Sequence, residues 1–429
     1  MHDIKDLRRN PERYIEGWRR RGVQVDIDRI LETDRRKRDL TSELDRLRSQ
    51  RNAVSKQIGA AKKNQADTSK LEAQIRRVGD EIQQDEAEER RLADEIERFL
   101  LVLPNLPAVD TPDGNDARGN VIMRHWGAPA RFDFTPLDHL DFAERIGVLD
   151  FKRGGKVAGA GFPVWSGDGA RLERAIINFM LDIHTREHNY REMMTPFLAN
   201  RDSMLGSGQI PNLEDDMYHI EREDLFLIPT SEVTLVNLHR GEIFAEEVLP
   251  LKYCAYSPCF RREAGAYGAG TRGFLRTHQF NKVELVRFER PEDSGAALGE
   301  LVSHAETILK RLELHYRVMR LCAGDMGFNA AACYDLEVWA PATQRWLEVS
   351  SCSNCSDFQA RRADIRFRSK AGGKTEFVYT LNGSGLATSR LLVALLENYQ
   401  TDEGSLAVPA ALRTYLGGQM SLRSQVEKQ

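Results

Sequence analysis

The stretch FRREAGAYGAGTRGFLRTHQFNKVELVRF, Phe260 to Phe288, sets two arginines and a glutamate before a glycine-containing loop, and an aromatic, a lysine and a glutamate after it. Its flanks, Tyr253–Arg262 and His278–Phe288, read as two strands around that loop. Side chains alternate faces along a strand, so Phe280, Lys282 and Glu284 share one face of the second, with Arg261 near the end of the first. An arginine fork suits a phosphate or a carboxylate. A phenylalanine on the same floor can stack on a purine, and a carboxylate there can receive an ammonium or a hydroxyl. Gly265, Gly268, Gly270 and Gly273 let the loop move or lie close to a ligand. From spacing alone, a surface hairpin with a solvated loop explains the pattern as well as a binding site does.

Two later segments add to it. In RWLEVSSCSN, Glu348 and Ser351 offer oxygen ligands side by side, of the kind that suits Mg²⁺. In LNGSGLATSR, glycines allow a close backbone approach and Arg390 falls in the first turns of a final helix. Taken singly, Glu348 reads equally as a sheet carboxylate and Arg390 as a solvated helix charge. The chain has no GxxxxGK[ST] loop and no GxGxxG between a strand and a helix, so ATP, if bound, lies on a sheet and is held by arginines.

The whole chain sets bounds. Its 429 residues allow two or more domains, and 29% charged with 41% hydrophobic residues is ordinary for a globular protein. No run of about 18 apolar residues is present, which excludes a membrane-spanning helix, and MHDIKDLRRN has no apolar core of a secretory signal. Six cysteines do not make a disulfide framework at this length, so a reduced, cytoplasmic setting is expected. Cys352 and Cys355 have CxxC spacing without a second pair, so no structural zinc is expected.

The first hundred residues carry a different pattern. Leu40, Leu44, Leu47, Arg51, Val54, Ile58 and Ala61 step by 4 and 3, and so do Leu71, Ile75, Val78, Ile82, Asp85, Glu89, Leu92, Ile96 and Phe99. This is a coiled-coil seam, predicted to fold back as an antiparallel hairpin with arms of roughly 50–60 Å. Ser69 and Glu72 are predicted to form a capping box at the second helix. Between Arg46 and Arg77 nine Lys or Arg face only two acids, although the net charge of the chain is −4. Three prolines mark Leu103–Gly114 as a linker. Beyond it a long amphipathic helix starts near Gly167, an extended segment carries Pro196, strands and turns run to Arg368, and a last strand enters a helix. The expected fold is α+β, a helical hairpin plus a domain on an antiparallel sheet.

These residues resemble one family. FRREAG with TRGFLRTHQFNKVE is similar to motif 2 of the bacterial-type seryl-tRNA synthetases, which are class II enzymes, and LNGSGLATSRLLVALLENYQ resembles their motif 3. The helix ending in MMTPF resembles motif 1, the dimerisation element. IPTSEV, EVSSCSN, DFQARR and the N-terminal hairpin match as well, so the resemblance spans essentially the whole chain. It implies a tRNA-binding coiled-coil arm at 1–103, a linker at 104–114 and a class II catalytic domain at 115–429, with motif 1 near 170–200, motif 2 at 253–288 and motif 3 at 376–400. The implied activity is serine–tRNA ligation: serine and ATP give seryl-adenylate, and the seryl group passes to the 3′ end of tRNA(Ser), and of tRNA(Sec) where present.

Carried over residue by residue, the resemblance gives Arg261 the α-phosphate and the serine carboxylate, Glu263 and Phe280 the adenine, and Arg390 the γ-phosphate. Glu348 and Ser351 would hold Mg²⁺. Arg262, Val349 and Ser350 complete the implied ATP site. Thr230, Ser231, Glu232, Glu284 and Ser384 would surround the serine ammonium and hydroxyl. Arg46, Arg51, Lys62, Lys63, Arg76 and Arg77 would bind tRNA along its long variable arm while its acceptor end enters the active site. A homodimer with no membrane association is implied.

Three departures from the common family pattern stand out: TSE for TAE at Ser231, RRE for RSE at Arg262, and GAGF near residue 159 where a charged residue is common. Two rival readings are an enzyme that loads a carrier protein and a coiled-coil interaction protein with a dead synthetase domain. The first usually lacks the hairpin, and the second would have lost Arg261, Glu348 or Arg390.

Overall fold

A computed structural model describes residues 1–263, 274, 276–370 and 372–423. The four loop glycines Gly265, Gly268, Gly270 and Gly273 lie outside the described residues. The chain divides into two compact units, Met1–Arg19 with Val23–Leu103, and Arg20–Gly22 with Pro104–Gln429.

In the first unit, helices α1 (Ile27–Lys63) and α2 (Ser69–Leu101) form the antiparallel hairpin. The heptad explains why. Leu44 and Leu47 are buried with Val78 and Ile82 in one cluster, and Val54, Leu92 and Ile96 are buried along the same two faces. Ion pairs then run across the seam with opposite chain directions: Lys37 with Glu89 at 2.8 Å, Arg48 with Glu86 at 2.9 Å, and Lys62 with Glu72 at 2.9 Å. The seam glutamate Glu89 is therefore neutralised by a lysine of the other arm. Arg51 differs from its heptad assignment and is exposed, because a guanidinium extends to water more cheaply than it is buried without a partner. The cap also differs. Thr68 precedes the helix and its hydroxyl bonds Glu72 at 2.9 Å, whereas Ser69 donates to Asp67 at 2.7 Å.

In the second unit an eight-stranded sheet is built from β1 (Val121–Trp126), β2 (Arg191–Glu192), β3 (Leu251–Phe260), β4 (Gln279–Glu289), β5 (Tyr316–Arg320), β6 (Ala332–Ala340), β7 (Arg345–Asn354) and β8 (Tyr379–Ala387). The spatial order is β1-β5-β6-β7-β8-β4-β3-β2. All neighbours are antiparallel except β2 and β3, which run parallel. The strands flanking the glycine loop are offset from the sequence reading. The first ends at Phe260 and the second starts at Gln279, so Arg261 stands just beyond its strand.

Helices α3 (Asp168–Arg186), α4 (Ser294–Arg311) and α6 (Thr388–Asn398) bury their apolar faces in one core with the central strands, including Ile176, Met180, Leu301, Leu285, Leu386 and Leu392. A short helix, α5 (Phe358–Ala363), packs with a second core around Phe288 and Val286. Two glycines in β8 are dictated by contact. A Cβ at Gly383 would lie 2.8 Å from the Cys352 sulfur, and one at Gly385 would lie 2.6 Å from His184 Nε2. The start of the expected linker also differs: Pro104, Asn105 and Leu106 are buried. The Asn105 amide donates to the carbonyls of Asn329 at 2.8 Å and Cys355 at 2.9 Å, which satisfies the backbone it covers.

Candidate active site

The glycine-loop strands, β7 and β8 converge on one cavity of about 500 Å³ on the sheet. Strand register explains the convergence. In β4, Glu284 stands opposite Ala255 of β3 on one side and Ser384 of β8 on the other. Alternation then places Phe280, Lys282 and Glu284 on the cavity face. From the sequence-derived set, the cavity wall includes Thr230, Glu232, Arg261, Glu263, Phe280, Glu284, Glu348, Val349, Ser350, Ser351, Ser384 and Arg390.

The acidic end is buried and internally bonded. Lys282 forms an ion pair with Glu284, both nearly inaccessible to water. Its Nζ also donates to Thr230 Oγ1 at 2.7 Å, and that hydroxyl lies 3.3 Å from Glu284 Oε2. Glu232 Oε1 accepts from Gln359 Nε2 at 2.6 Å and from Asn382 Nδ2 at 2.9 Å. Burial, and then the charge of Glu284, push the Glu232 carboxyl up to about 7; Gln359, Lys282 and Arg261 oppose the rise.

The other end is cationic and open. The Arg261 guanidinium lies 5.1 Å from the Phe280 ring centroid. Arg390 donates to the Glu348 carbonyl at 2.9 Å and lies 3.3 Å from Glu348 Oε2. Glu263 sits in the left-handed region, φ +50°, with its carboxylate 3.5 Å from Arg276. Ser350 donates to the Ser384 carbonyl at 2.6 Å and so ties β7 to β8 at the cavity.

Two assigned residues do not reach the cavity. Ser231 is fully buried and donates to Ser257 Oγ at 2.5 Å, behind the wall. Arg262 reaches the other way, with Nη1 on the Asp215 carbonyl at 3.0 Å and its backbone N–H on Asp216 O at 2.9 Å. It braces the segment that brings Leu213, Asp216 and Met217 to the cavity rim. Sequence reading missed Asn382, Gln359 and the placement of Lys282 as a partner. Asn382 could have been found, since it shares a strand face with Ser384 two residues on. Gln359 lies in DFQARR, a segment that resembles the family, but nothing in that resemblance gave the residue a role.

A divalent cation has a fitting place. Among the described residues, no group of three or more His, Cys, Asp or Glu is arranged to hold a metal by itself. Glu348 and Ser351 supply two hard oxygens at the cavity wall. Asp335 pairs with Ser351 across β6 and β7, and desolvation followed by the charge of Glu348 pushes its carboxyl up to about 8. An incomplete set of hard oxygens of this kind suits a Mg²⁺ that takes its remaining ligands from phosphates and water. Cys352 and Cys355 are fully buried thiols; Cys352 is pushed up to about 12 by burial, and Cys355 accepts a bond from Asn382 at 3.4 Å.

Residues 1–107 match the seryl-tRNA synthetase N-terminal domain, and residues 217–399 match the tRNA synthetase class II core domain (G, H, P, S and T). Over 418 residues the chain is 50% identical to a serine–tRNA ligase of Pelotomaculum thermopropionicum, covering 97% of this chain and 99% of that one. The chain belongs to the seryl-tRNA synthetase family. Among solved structures it is similar to the seryl-tRNA synthetase of Pyrococcus horikoshii complexed with ATP, with a TM-score of 0.92, 37% identity and all of both chains covered. It is also similar to the cytoplasmic serine–tRNA ligase of Naegleria fowleri in complex with AMP, with a TM-score of 0.86, 29% identity and 97% of each chain covered. The N-terminal match takes in the hairpin, and the class II core match takes in β3, β4, β6, β7 and β8.

The departures at Ser231 and Arg262 are expected to be nearly silent in substrate binding. Ser231→Ala and Arg262→Ser should each leave the KM for serine within about threefold. Ser231→Ala removes one buried hydrogen bond, at a cost of about 1 kcal/mol in stability. Steady-state ATP–pyrophosphate exchange with a denaturant titration checks both; a tenfold rise in the KM for serine would place the altered side chain in the site.

Proposed function

We propose that this cavity carries the chain's serine–tRNA ligase activity, with ATP at the arginine end and serine at the acidic end. The observation that carries the proposal is the polarity of this cavity: Arg261, Phe280, Glu284 and Glu232 all line it. In the first step a serine carboxylate oxygen bonds to the α-phosphorus of ATP as the bond to the pyrophosphate oxygen breaks. Arg261 orients both the carboxylate and the α-phosphate, and its charge stabilises the crowded phosphoryl centre. Phe280 and Glu263 hold the adenine, and Arg390 holds the γ-phosphate in line behind the leaving group. Glu348 and Ser351 would hold Mg²⁺, which when bound neutralises phosphate charge. Catalysis is then positioning and electrostatics, without a protein nucleophile.

Thr230, Glu232, Glu284 and Ser384 receive the ammonium and hydroxyl of serine. Their bonds select against alanine, which would leave buried polar groups unpaired. In the second step the terminal ribose hydroxyl of tRNA attacks the seryl carbonyl and AMP leaves.

The hairpin is proposed to bind tRNA(Ser) along its long variable arm, by shape and backbone. Arg46 bonds Glu43 at 2.8 Å, Lys62 pairs with Glu72 at 2.9 Å, and Arg77 lies 3.6 Å from Glu81. Arg76 lies 3.3 Å from the Glu72 carbonyl, and Arg51 and Lys63 are exposed. Exposed pairs of this kind are screened by water and salt and contribute little, so RNA phosphates can displace the acids readily. The protein is proposed to act as a homodimer through the α3 region.

Serine should support Mg²⁺-dependent ATP–pyrophosphate exchange, with alanine on the order of 10⁴-fold poorer in kcat/KM. Arg261→Ala and Arg390→Ala should each lower exchange by on the order of 10²–10³-fold, with an unchanged thermal melt. Comparable exchange with alanine, or near-normal exchange by either variant at saturating ATP, would contradict the assignment.

Replacing Arg46, Arg51, Lys62 and Lys63 together by Gln should weaken tRNA(Ser) binding and flatten its salt dependence, leaving serine-dependent exchange unchanged. A filter-binding titration between 50 and 200 mM salt measures both quantities. An unchanged salt slope would remove the hairpin from tRNA recognition.

A further inference from the structure

Glu232 lies at the buried end of the cavity and is held by a residue that never reaches the cavity wall. Gln359, on α5, has no exposed surface, yet every polar atom of its amide is engaged. Its Nε2 donates to Glu232 Oε1 at 2.6 Å and to the Ser207 carbonyl at 3.0 Å. Its Oε1 accepts from Thr380 Oγ1 at 2.7 Å. Because the acceptor side is taken by a hydroxyl and the donor side by a carbonyl, only one amide orientation satisfies the set, and it aims N–H at Glu232. Asn382 bonds the same oxygen, Oε1, at 2.9 Å. Two donors on one oxygen leave Oε2 for the cavity that Glu232 lines.

We propose that Gln359 is a positioning residue for serine recognition: its amide fixes the Glu232 carboxylate in one orientation and holds it charged, so that Oε2 is presented to the amino acid. The proposal rests on the reading that Glu232 faces serine. An N–H donor bonds a carboxylate oxygen more strongly than the carbonyl oxygen of the neutral acid, so it favours the charged form. The surroundings make that help necessary. Glu284 of β4 opposes the Glu232 charge, Lys282 of β4 and Arg261 beyond β3 favour it, and the Cys355 thiol after β7 lies close by. Burial outweighs these favourable partners and leaves the carboxyl at about 7. In the free protein, kcat/KM for serine should therefore fall as pH drops through about 7. Once bound, the serine ammonium favours the charged carboxylate, so the corresponding limb of kcat should lie at lower pH.

Gln359→Leu and the isosteric Gln359→Glu test this, with Glu232→Gln as the control for the underlying reading. Serine-dependent ATP–pyrophosphate exchange is measured from pH 6 to 9, with ATP affinity and a thermal melt as measures of the fold. Gln359→Leu should raise the KM for serine on the order of 10- to 100-fold, with the KM for ATP within twofold. The acidic limb of kcat/KM for serine should move up by about one pH unit or more. Gln359→Glu sets a second carboxylate against Glu232, and should move the limb further without changing side-chain volume. A serine KM within twofold of the parent, an unmoved limb in Gln359→Glu, or equal losses for serine and ATP would overturn the positioning role. In Glu232→Gln the limb should disappear. A limb that survives there belongs to another group, and then the reading of Glu232 itself is what fails.

Discussion

Two carboxylates, Glu232 and Glu284, share the deep end of the cavity with little water to separate their charges. Like charges so placed are costly, and much of the surrounding structure compensates for them. Lys282 is held between Glu284 and Thr230, the Gln359 and Asn382 amides converge on Glu232, and the Arg261 charge favours the ionised Glu232. These partners come from different strands and helices, so the charge balance exists only when β3, β4, β8 and α5 are all in place. The same arrangement leaves hydrogen-bonding capacity facing the cavity, which the proposed serine, with its ammonium and hydroxyl, would fill.

A second carboxylate system explains how the sheet is held in register beneath that site. Glu173 of α3 accepts from Asn281 Nδ2 at 2.7 Å and from Thr388 Oγ1 at 2.6 Å. Thr388 also bonds the Asn281 carbonyl at 3.0 Å. One buried side chain thereby joins the long helix, the second strand of the glycine-loop pair and the start of the last helix. Phe280 and Arg390, one and two residues from these contacts, are positioned by them. The Glu173 carboxyl is raised by burial, consistent with a group placed for its hydrogen bonds rather than for contact with solvent.

Much of this was legible in the sequence. The heptad located the hairpin because a seam is a one-dimensional pattern: Leu44, Leu47, Val78 and Ile82 are buried together as their spacing requires. Arg51 departed from the seam because it reaches water, and Ser69 departed from the expected capping box because its hydroxyl bonds Asp67. Strand alternation brought Phe280 and Glu284 to one floor, and the family resemblance joined Thr230, Glu348 and Arg390 to it. Ser231 and Arg262 lie away from the cavity wall: adjacency to Glu232, Arg261 and Glu263 says nothing about which way a side chain turns. Gln359 was not legible, because its importance arises only when a short helix docks against Glu232 from a distant part of the chain.

The central claim, one floor with ATP at the arginine end and serine at the acidic end, is tested most directly by an experimental structure with a non-hydrolysable seryl-adenylate analogue. The account predicts the adenine on the Phe280 ring, the phosphate mimic on Arg261, and the serine ammonium and hydroxyl bonded among Thr230, Glu232, Glu284 and Ser384. A ligand with its seryl group away from Glu232 and Glu284, or with its adenine away from Phe280, would contradict it.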